Sequence, residues 1–414
     1  MSKSEVIFVG TVMEVENPAT EKREDQGGIS RYKFRVDEVL SGVDKTEVEV
    51  YSGRGGGDCS YHFKLGQQYL VFPYRNQAQL WAGMCTETRP MAFATALLPQ
   101  LRAMRDGRKV ASLYGLLYSL QQPSEVTDTG NNYRFMKNVR IQLRAHNKKL
   151  ETVTDGQGSY AFYDVPTSSY KISAVLPQNL IMGQAASDDQ PRPLNLPAGA
   201  CFENDIDVLS TGKIRGQVLG PDGTRLECAP VELFIASEYD KGGVGLWEVQ
   251  CDKDHFEFQN VSPGDYVLVF NNRNQVEPKT PFTRSYFPGT PDLAHARVIH
   301  LKDGEEVLDA NIHVAPARAI RVLTVKFVAE QGKLPLMNLV ETKSPDGSHP
   351  GSEPIALGVL KVFLFKNENY ELSGRGSCSL NGAWEAKTDS HEVSGSDESV
   401  TETTLSYPGK PCGT

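Results

Sequence analysis

Asp155-Gly-Gln-Gly-Ser-Tyr160-Ala-Phe162-Tyr-Asp-Val165-Pro166, followed by Tyr170, has a counterpart downstream. It is Asp252-Lys-Asp-His-Phe256-Glu-Phe258-Gln-Asn-Val261-Ser-Pro263-Gly264-Asp-Tyr266. Aromatic, aromatic, valine and tyrosine coincide at a constant offset of 96 residues. The alternation predicts a half-buried strand, and the polar and glycine residues around it predict turns. Working outward, Leu113-Tyr-Gly115 matches Ile214-Arg-Gly216 as an opening strand, and Val139 to Leu143 matches Val231 to Ile235. Each copy closes on a similar strand, Asp205 to Val208 and Asn311 to Val314. A repeat of about 100 residues made of short strands and turns suits a β-sandwich.

The flanking regions are less regular. Residues 6–15 form a short apolar run with Gly10 inside it, a strand with a bulge or tight bend. Tyr32, Phe34 and Val36 alternate with charged residues, as do Val48 and Val50. Residues 91–105 carry Ala94, Leu97, Leu98, Leu101 and Met104 at helical spacing, with Pro99 weakening or kinking that helix. After Ala317, residues 320–327 and 358–365 predict strands, and Thr401 to Tyr407 a closing strand. Residues 341–354 and 387–400, rich in Ser, Asp, Glu and Pro, predict exposed loops. The chain therefore divides into 1–108, 109–211, 212–316 and a diverged β domain at 317–414. The expected class is all-β, an N-terminal barrel with a flanking helix followed by two or three sandwiches.

Composition narrows the function. Of 414 residues, 23% are charged and 39% hydrophobic, as in a folded soluble protein. The net charge of -9 argues against nucleic acid and cationic membrane binding. No apolar run approaches the about 20 residues that span a bilayer. No His-Glu-x-x-His, Gly-x-Ser-x-Gly or paired metal spacing involves the eight histidines, so no enzyme, catalytic residue, metal or cofactor is expected. The glycine-rich loop at 53–58 lacks the Lys-Ser/Thr ending of a phosphate loop and reads as a strand connection.

Seven cysteines, none in a CxxC pair, fit scattered disulfides in an oxidising compartment. Cys228 with Cys251 and Cys378 with Cys412 are candidate bridges, and Cys201 has no evident mate. Trp81, Trp247 and Trp384 are either core residues or binding-face residues. Trp247, Arg284, Tyr286 and Phe287 are the ligand-loop candidates, the last three in a long loop ending at Pro288-Gly289.

Two resemblances add to this. Val6-Ile-Phe-Val-Gly10-Thr-Val12, Tyr32-Lys-Phe34-Arg-Val36, Cys59 with Phe63-Lys-Leu-Gly66-Gln-Gln-Tyr69-Leu-Val71-Phe72, and Cys85-Thr-Glu-Thr-Arg89-Pro90 resemble the bacterial netrin-like, tissue-inhibitor-of-metalloproteinases family. That resemblance implies an oligonucleotide/oligosaccharide-binding (OB) barrel. In that family a leading cysteine chelates the zinc of a target protease. It implies that Cys59 and Cys85 are partners of two leading cysteines. The alternatives are a bond to each other or structural thiols. Residues 109–316 resemble carboxypeptidase-regulatory-like, transthyretin-like sandwiches, through Gly216-Gln-Val218, Pro221-Asp222-Gly223 and the Phe256 to Tyr266 motif. These modules act as spacers, adhesion units or weak carbohydrate binders. The expectation is a secreted or surface-associated monomer, a non-enzymatic binding or scaffold protein with a protein or glycan ligand. Its native precursor is expected to carry a signal peptide. The rival expectation is a metalloprotease inhibitor acting through an N-terminal cysteine missing from this chain.

Overall fold

The computed structural model describes residues 6–16, 29–53, 60–120, 133–183, 193–250, 254–379, 386–397 and 399–412. It is built almost wholly of strands, the all-β class expected. The chain divides between Leu209 and Ser210 into two compact units.

The first unit opens with a curled, half-barrel sheet. Its strands are β1 (Ile7–Glu16), β2 (Ile29–Ser41), β3 (Glu47–Gly53), β4 (Gln68–Val71), β5 (Tyr74–Asn76), β6 (Gln79–Trp81) and β7 (Arg89–Pro90). They lie in the order β5-β6-β3-β2-β1-β4-β7. The alternating residues Tyr32, Phe34, Val48 and Val50 point inward with Phe8, Val12, Tyr69 and Val71. Phe63 meets Tyr32 and Phe34 edge-on at 4.9 and 5.0 Å. Three register shifts between β1 and β2 supply the curl. The helix expected over 91–105 is split. A 3-10 turn covers Met91–Phe93 and α1 spans Leu97–Arg105. Pro99 thus falls in the first turn of α1, where a missing N–H costs no helical hydrogen bond. Leu97, Leu98 and Leu101 share one buried cluster with Val9, Leu70, Phe72, Tyr114 and Leu116. Barrel and first sandwich are joined by this common core.

Both repeat copies are sandwiches with the same physical devices. Tyr160 and Phe162 of the first copy, and Phe256 and Phe258 of the second, lie inside their cores. The tyrosine that ends each motif turns back on its own corner. The Tyr170 hydroxyl donates to the Pro166 carbonyl at 2.9 Å, and the Tyr266 hydroxyl to Ser262 at 2.7 Å. The closing strand of each copy runs parallel to its opening segment, Ile206–Ser210 beside Leu113–Leu120 and Ile312–His313 beside Val218–Leu219. A Cβ on Gly115 would collide with the Asn204 carbonyl, and one on Gly216 with the Ala310 carbonyl. The repeated glycine is therefore a place where two main chains touch.

In the second unit the second sandwich is followed by two further sheets. One holds Gln275–Val276, His349–Ala356, Val359–Phe365, Ile320–Ala329 and Glu402–Tyr407 in that order. The other pairs Met337–Lys343 with Asn369–Ser377, which also takes Ala386–Lys387 and His391–Ser394. Their inner faces share Leu323, Val325, Val362, Leu364, Tyr370, Leu372, Leu405 and Tyr407. Much of 341–354, expected as an exposed loop, is strand. Pro350 and Pro354 belong to His349–Ala356, which pairs with Gln275–Val276 only at His349 and Pro350. A proline is tolerated there because the edge has little ladder to lose. Part of 387–400 is likewise strand, at His391–Ser394. At the junction between the two sandwiches of this unit, the Arg318 N–H donates to the Pro281 carbonyl at 2.8 Å while its guanidinium pairs with Asp346 at 2.6 Å and Glu368 at 2.7 Å.

Two substitutions test the devices of the repeat. Tyr266→Phe removes one hydroxyl bond and should cost about 1 kcal/mol in urea unfolding. Gly216→Ala forces a main-chain shift and should cost about 1–3 kcal/mol. A Gly216→Ala cost no larger than that of an exposed alanine substitution would contradict the close-contact reading.

Candidate functional site

The second sandwich has one face that the alternation alone does not explain. In Ala229–Ile235, Val231 and Leu233 enter the core while Glu232 and Phe234 face out. In Gly264–Phe270, Val267 and Val269 also face out, yet both are buried. The short helix Ala236–Tyr239 and the turn Leu293–His295 supply the cover. Phe234, Val267, Val269 and Tyr286 pack against Ala236, Tyr239, Leu293 and Ala296. This second small core explains the unbroken apolar run Tyr266 to Phe270, since a strand covered on both faces does not alternate.

Beside that cover lies a groove of about 660 Å³. Pro230, Glu232 and Phe234 form its floor. Gly243, Val244 and Gly245 form one wall, and Asn271, Asn272, Arg273 and Gln275 the other. Val244 is almost fully exposed at the rim, at 97%.

The polar wall is held by its own turn. Asn271 and Asn274 both have φ 49°, a left-handed backbone that asparagine tolerates better than most residues. The Asn271 amide donates to the Gln275 and Phe282 carbonyls at 3.0 and 2.9 Å, and its oxygen accepts from the Gln275 N–H at 2.9 Å. Asn274 accepts from the Arg284 N–H at 2.9 Å and donates to the Asp346 carbonyl at 3.1 Å. With these two amides fixed, Asn272 and Arg273 are presented to the groove.

Behind Asn272 stands a chain of hydroxyls. Tyr239 donates to the Asn272 side-chain oxygen at 2.7 Å, and its hydroxyl lies 3.0 Å from that of Tyr286. Arg284 Nη1 donates to the Asn272 carbonyl at 3.3 Å, while its Nε is buried without a partner. Burial raises the Glu232 pKa, opposed by the Arg273 charge and a hydrogen bond with Asn272. Carboxylate, amides and guanidinium therefore converge on one apolar floor, with Arg273 offsetting the charge of Glu232.

The residues singled out from the sequence fall as follows. Trp247 lies opposite Glu232 in strand register. Arg284 and Tyr286 support the groove from behind instead of standing on an exposed loop. Phe287 is a core residue, 5% exposed, with the Arg297 guanidinium 4.3 Å from its ring centre. The expected recognition loop is packed because Ser285–Tyr286 pairs with Val269 and Phe270 as a strand. Trp81 is half-buried beside Tyr51, and Trp384 lies outside the described residues. Glu232, Tyr239, Asn272 and Arg273 were not singled out. The run Asn271-Asn-Arg-Asn274 is a turn signal that points to Asn272 and Arg273, while nothing local marks Glu232 or Tyr239.

Among the cysteines, Cys378 and Cys412 form a disulfide. Cys228 is disulfide-bonded too, and its expected mate Cys251 lies outside the described residues, as do Cys59 and most of the 53–58 loop. Cys85 is free and exposed, and Cys201 is free and half-buried. Among the described residues no group of three or more His, Cys, Asp or Glu could hold a metal ion. No helix among them is long and apolar enough to cross a membrane.

No protein-family model and no curated protein sequence matches the chain. Among solved structures it is similar to the Bacillus anthracis TIE protein, with 11% identity over 99% of this chain and 69% of that one (TM-score 0.25). It is also similar to a Streptococcal ancillary pilin, with 12% identity over 71% of this chain and 99% of that one (TM-score 0.26). The pilus adhesin SpaC from Lactobacillus rhamnosus GG matches at 10% identity over 99% and 57% (TM-score 0.20). With TM-scores this low, these likenesses add nothing to what the strands themselves show.

The Glu232 shift fixes a sign. A carboxyl whose folded pKa is raised favours the fold fully below its unfolded pKa, and that contribution is lost as pH rises through the folded value. Glu232→Gln should therefore gain stability relative to the parent between pH ~4 and pH ~7. Parallel urea unfolding at both pH values checks this. A gain in the opposite direction would show that Arg273 and Asn272 outweigh burial.

Proposed function

We propose that this chain is an extracytoplasmic, non-enzymatic binding and scaffold protein that holds a glycan in the groove of its second sandwich. The observation that carries this reading is the placement of Glu232, Asn272 and Arg273 around one groove over the Pro230–Phe234 floor. Planar carboxylate, amide and guanidinium groups offer donors and acceptors to neighbouring sugar hydroxyls, and an apolar floor receives the C–H face of a ring. The strand Ala229–Ile235 is paired on both sides, so a peptide has no free strand edge to join at this floor. The Cys378–Cys412 bridge supports an oxidising compartment.

A glycan array followed by calorimetry on the full chain tests the groove. Arg273→Ala and Asn272→Ala should each weaken the selected glycan about tenfold or more, the value of one well-made hydrogen bond to a charged or desolvated group. Glycan affinity untouched by both would remove the groove from the reading. The compartment has its own test. The 34-residue separation of Cys378 and Cys412 predicts that Cys378→Ser costs about 2–4 kcal/mol. Protein taken from its source with both thiols free would count against export.

The exposed free thiol of Cys85 favours a second reading, an inhibitor-type head whose leading cysteine partners it. Native protein in which Cys85 is bonded to a leading cysteine supports it, and native protein with Cys85 free removes it.

A further inference from the structure

We propose that the head barrel takes an extended peptide segment of a partner protein as an added strand along the outer edge of β3. This site is separate from the glycan groove and does not depend on it.

The inference starts from the ladder. On one side, β3 pairs with β2 along its whole length, from Glu47 to Gly53. On the other side, β6 pairs with it only at Val50 and Tyr51. Two hydrogen bonds fix which way each residue faces. The Thr46 carbonyl accepts from Val36 of β2 at 2.8 Å, and the Tyr51 carbonyl accepts from Ala82, beyond β6, at 2.9 Å. Main-chain groups alternate along a strand, so Glu47 and Glu49 face the same way as Tyr51. The Glu47 N–H and C=O and the Glu49 N–H therefore have no strand partner among the described residues. Two such outward residues stand about 7 Å apart, the two-residue repeat of an incoming strand.

The edge is set in a groove of about 560 Å³, between the 42–45 turn and the 75–80 hairpin. Val43, Val48 and Leu80 give it an apolar side. The two glutamates that would ordinarily guard such an edge are drawn onto the sheet. Glu47 pairs with Lys33 at 2.8 Å, and Glu49 with Arg31 at 2.9 Å. By contrast, the part of His349–Ala356 that lies beyond its pairing with Gln275–Val276 carries Pro354, which hinders addition of a strand. At β3 no proline does so. Unmade main-chain bonds at strand spacing, in a groove lined mostly by charged and polar residues with Val43 and Leu80 as its apolar contacts, fit one kind of occupant, a peptide in extended form with an apolar side chain facing Val43 and Leu80.

The test pans random linear peptides on the full chain and measures the selected peptide by fluorescence anisotropy. Glu49→Pro removes an N–H that points away from β2, so the fold keeps its ladder. It should weaken the peptide about tenfold. N-methylation along the peptide, measured on the unaltered protein, should weaken binding at every second amide and spare those between. This second measurement stands even if Glu49→Pro disturbs the barrel. Selection of no peptide above a blank surface overturns the proposal. So does a selected peptide whose N-methyl scan shows no two-residue period. Either failure leaves glycan binding at the second sandwich intact.

Discussion

Both sandwiches depend on one steric constraint, the contact of two main chains at a glycine. A closing strand beside the opening segment completes each sandwich. Just ahead of it the chain must pass at main-chain distance, over Gly115 in one copy and Gly216 in the other. Any side chain there would hold the two main chains apart and weaken the parallel pairing that follows. The tyrosine corners add a second fixed point, each tying the start of a core strand to the turn that precedes it. With both ends fixed, the aromatic pair of each motif is held inside, and outer-face residues such as Glu232 are fixed in position.

The modules within each unit are joined by shared cores. Helix α1 packs against the half-barrel and against the first sandwich at once. In the second unit, Val276 of the second sandwich packs with Phe363 and Phe365, and the Arg318 guanidinium stands 4.2 Å from the Phe365 ring centre. The Asn271–Asn274 turn belongs to this junction too, since Asn274 reaches the Asp346 carbonyl. The polar wall of the groove is therefore supported in part from the module that follows it.

Much of this was legible beforehand, and the reason is local. The repeat showed itself because turn, aromatic pair, valine and tyrosine each have a role that only a few residue types fill. The helix near residue 100 was visible from its spacing, while its start was not, because Pro99 is compatible with a first turn as well as with a kink. The strands at 341–354 were hidden by their composition. Serine, proline and acid suit an exposed edge as well as a loop, and only pairing with Val359–Phe365 distinguishes them.

The sequence by itself determined the all-β class, the two equivalent copies and the cores of their strands, and it offered Cys378 with Cys412 as a candidate bridge that the structure shows formed. These follow from periodicity and nearby spacing. Only the tertiary structure decided which exposed-looking residues are exposed. Tyr286 and Phe287 read as part of a long loop but are buried, Tyr286 under the short helix and turn on the outer face and Phe287 in the main core of the sandwich. Glu232, Tyr239, Asn272 and Arg273 come from two separate stretches of chain and meet only when their strands pair. Such convergence depends on strand register and on packing across 30 to 40 positions of sequence, and no local pattern encodes it.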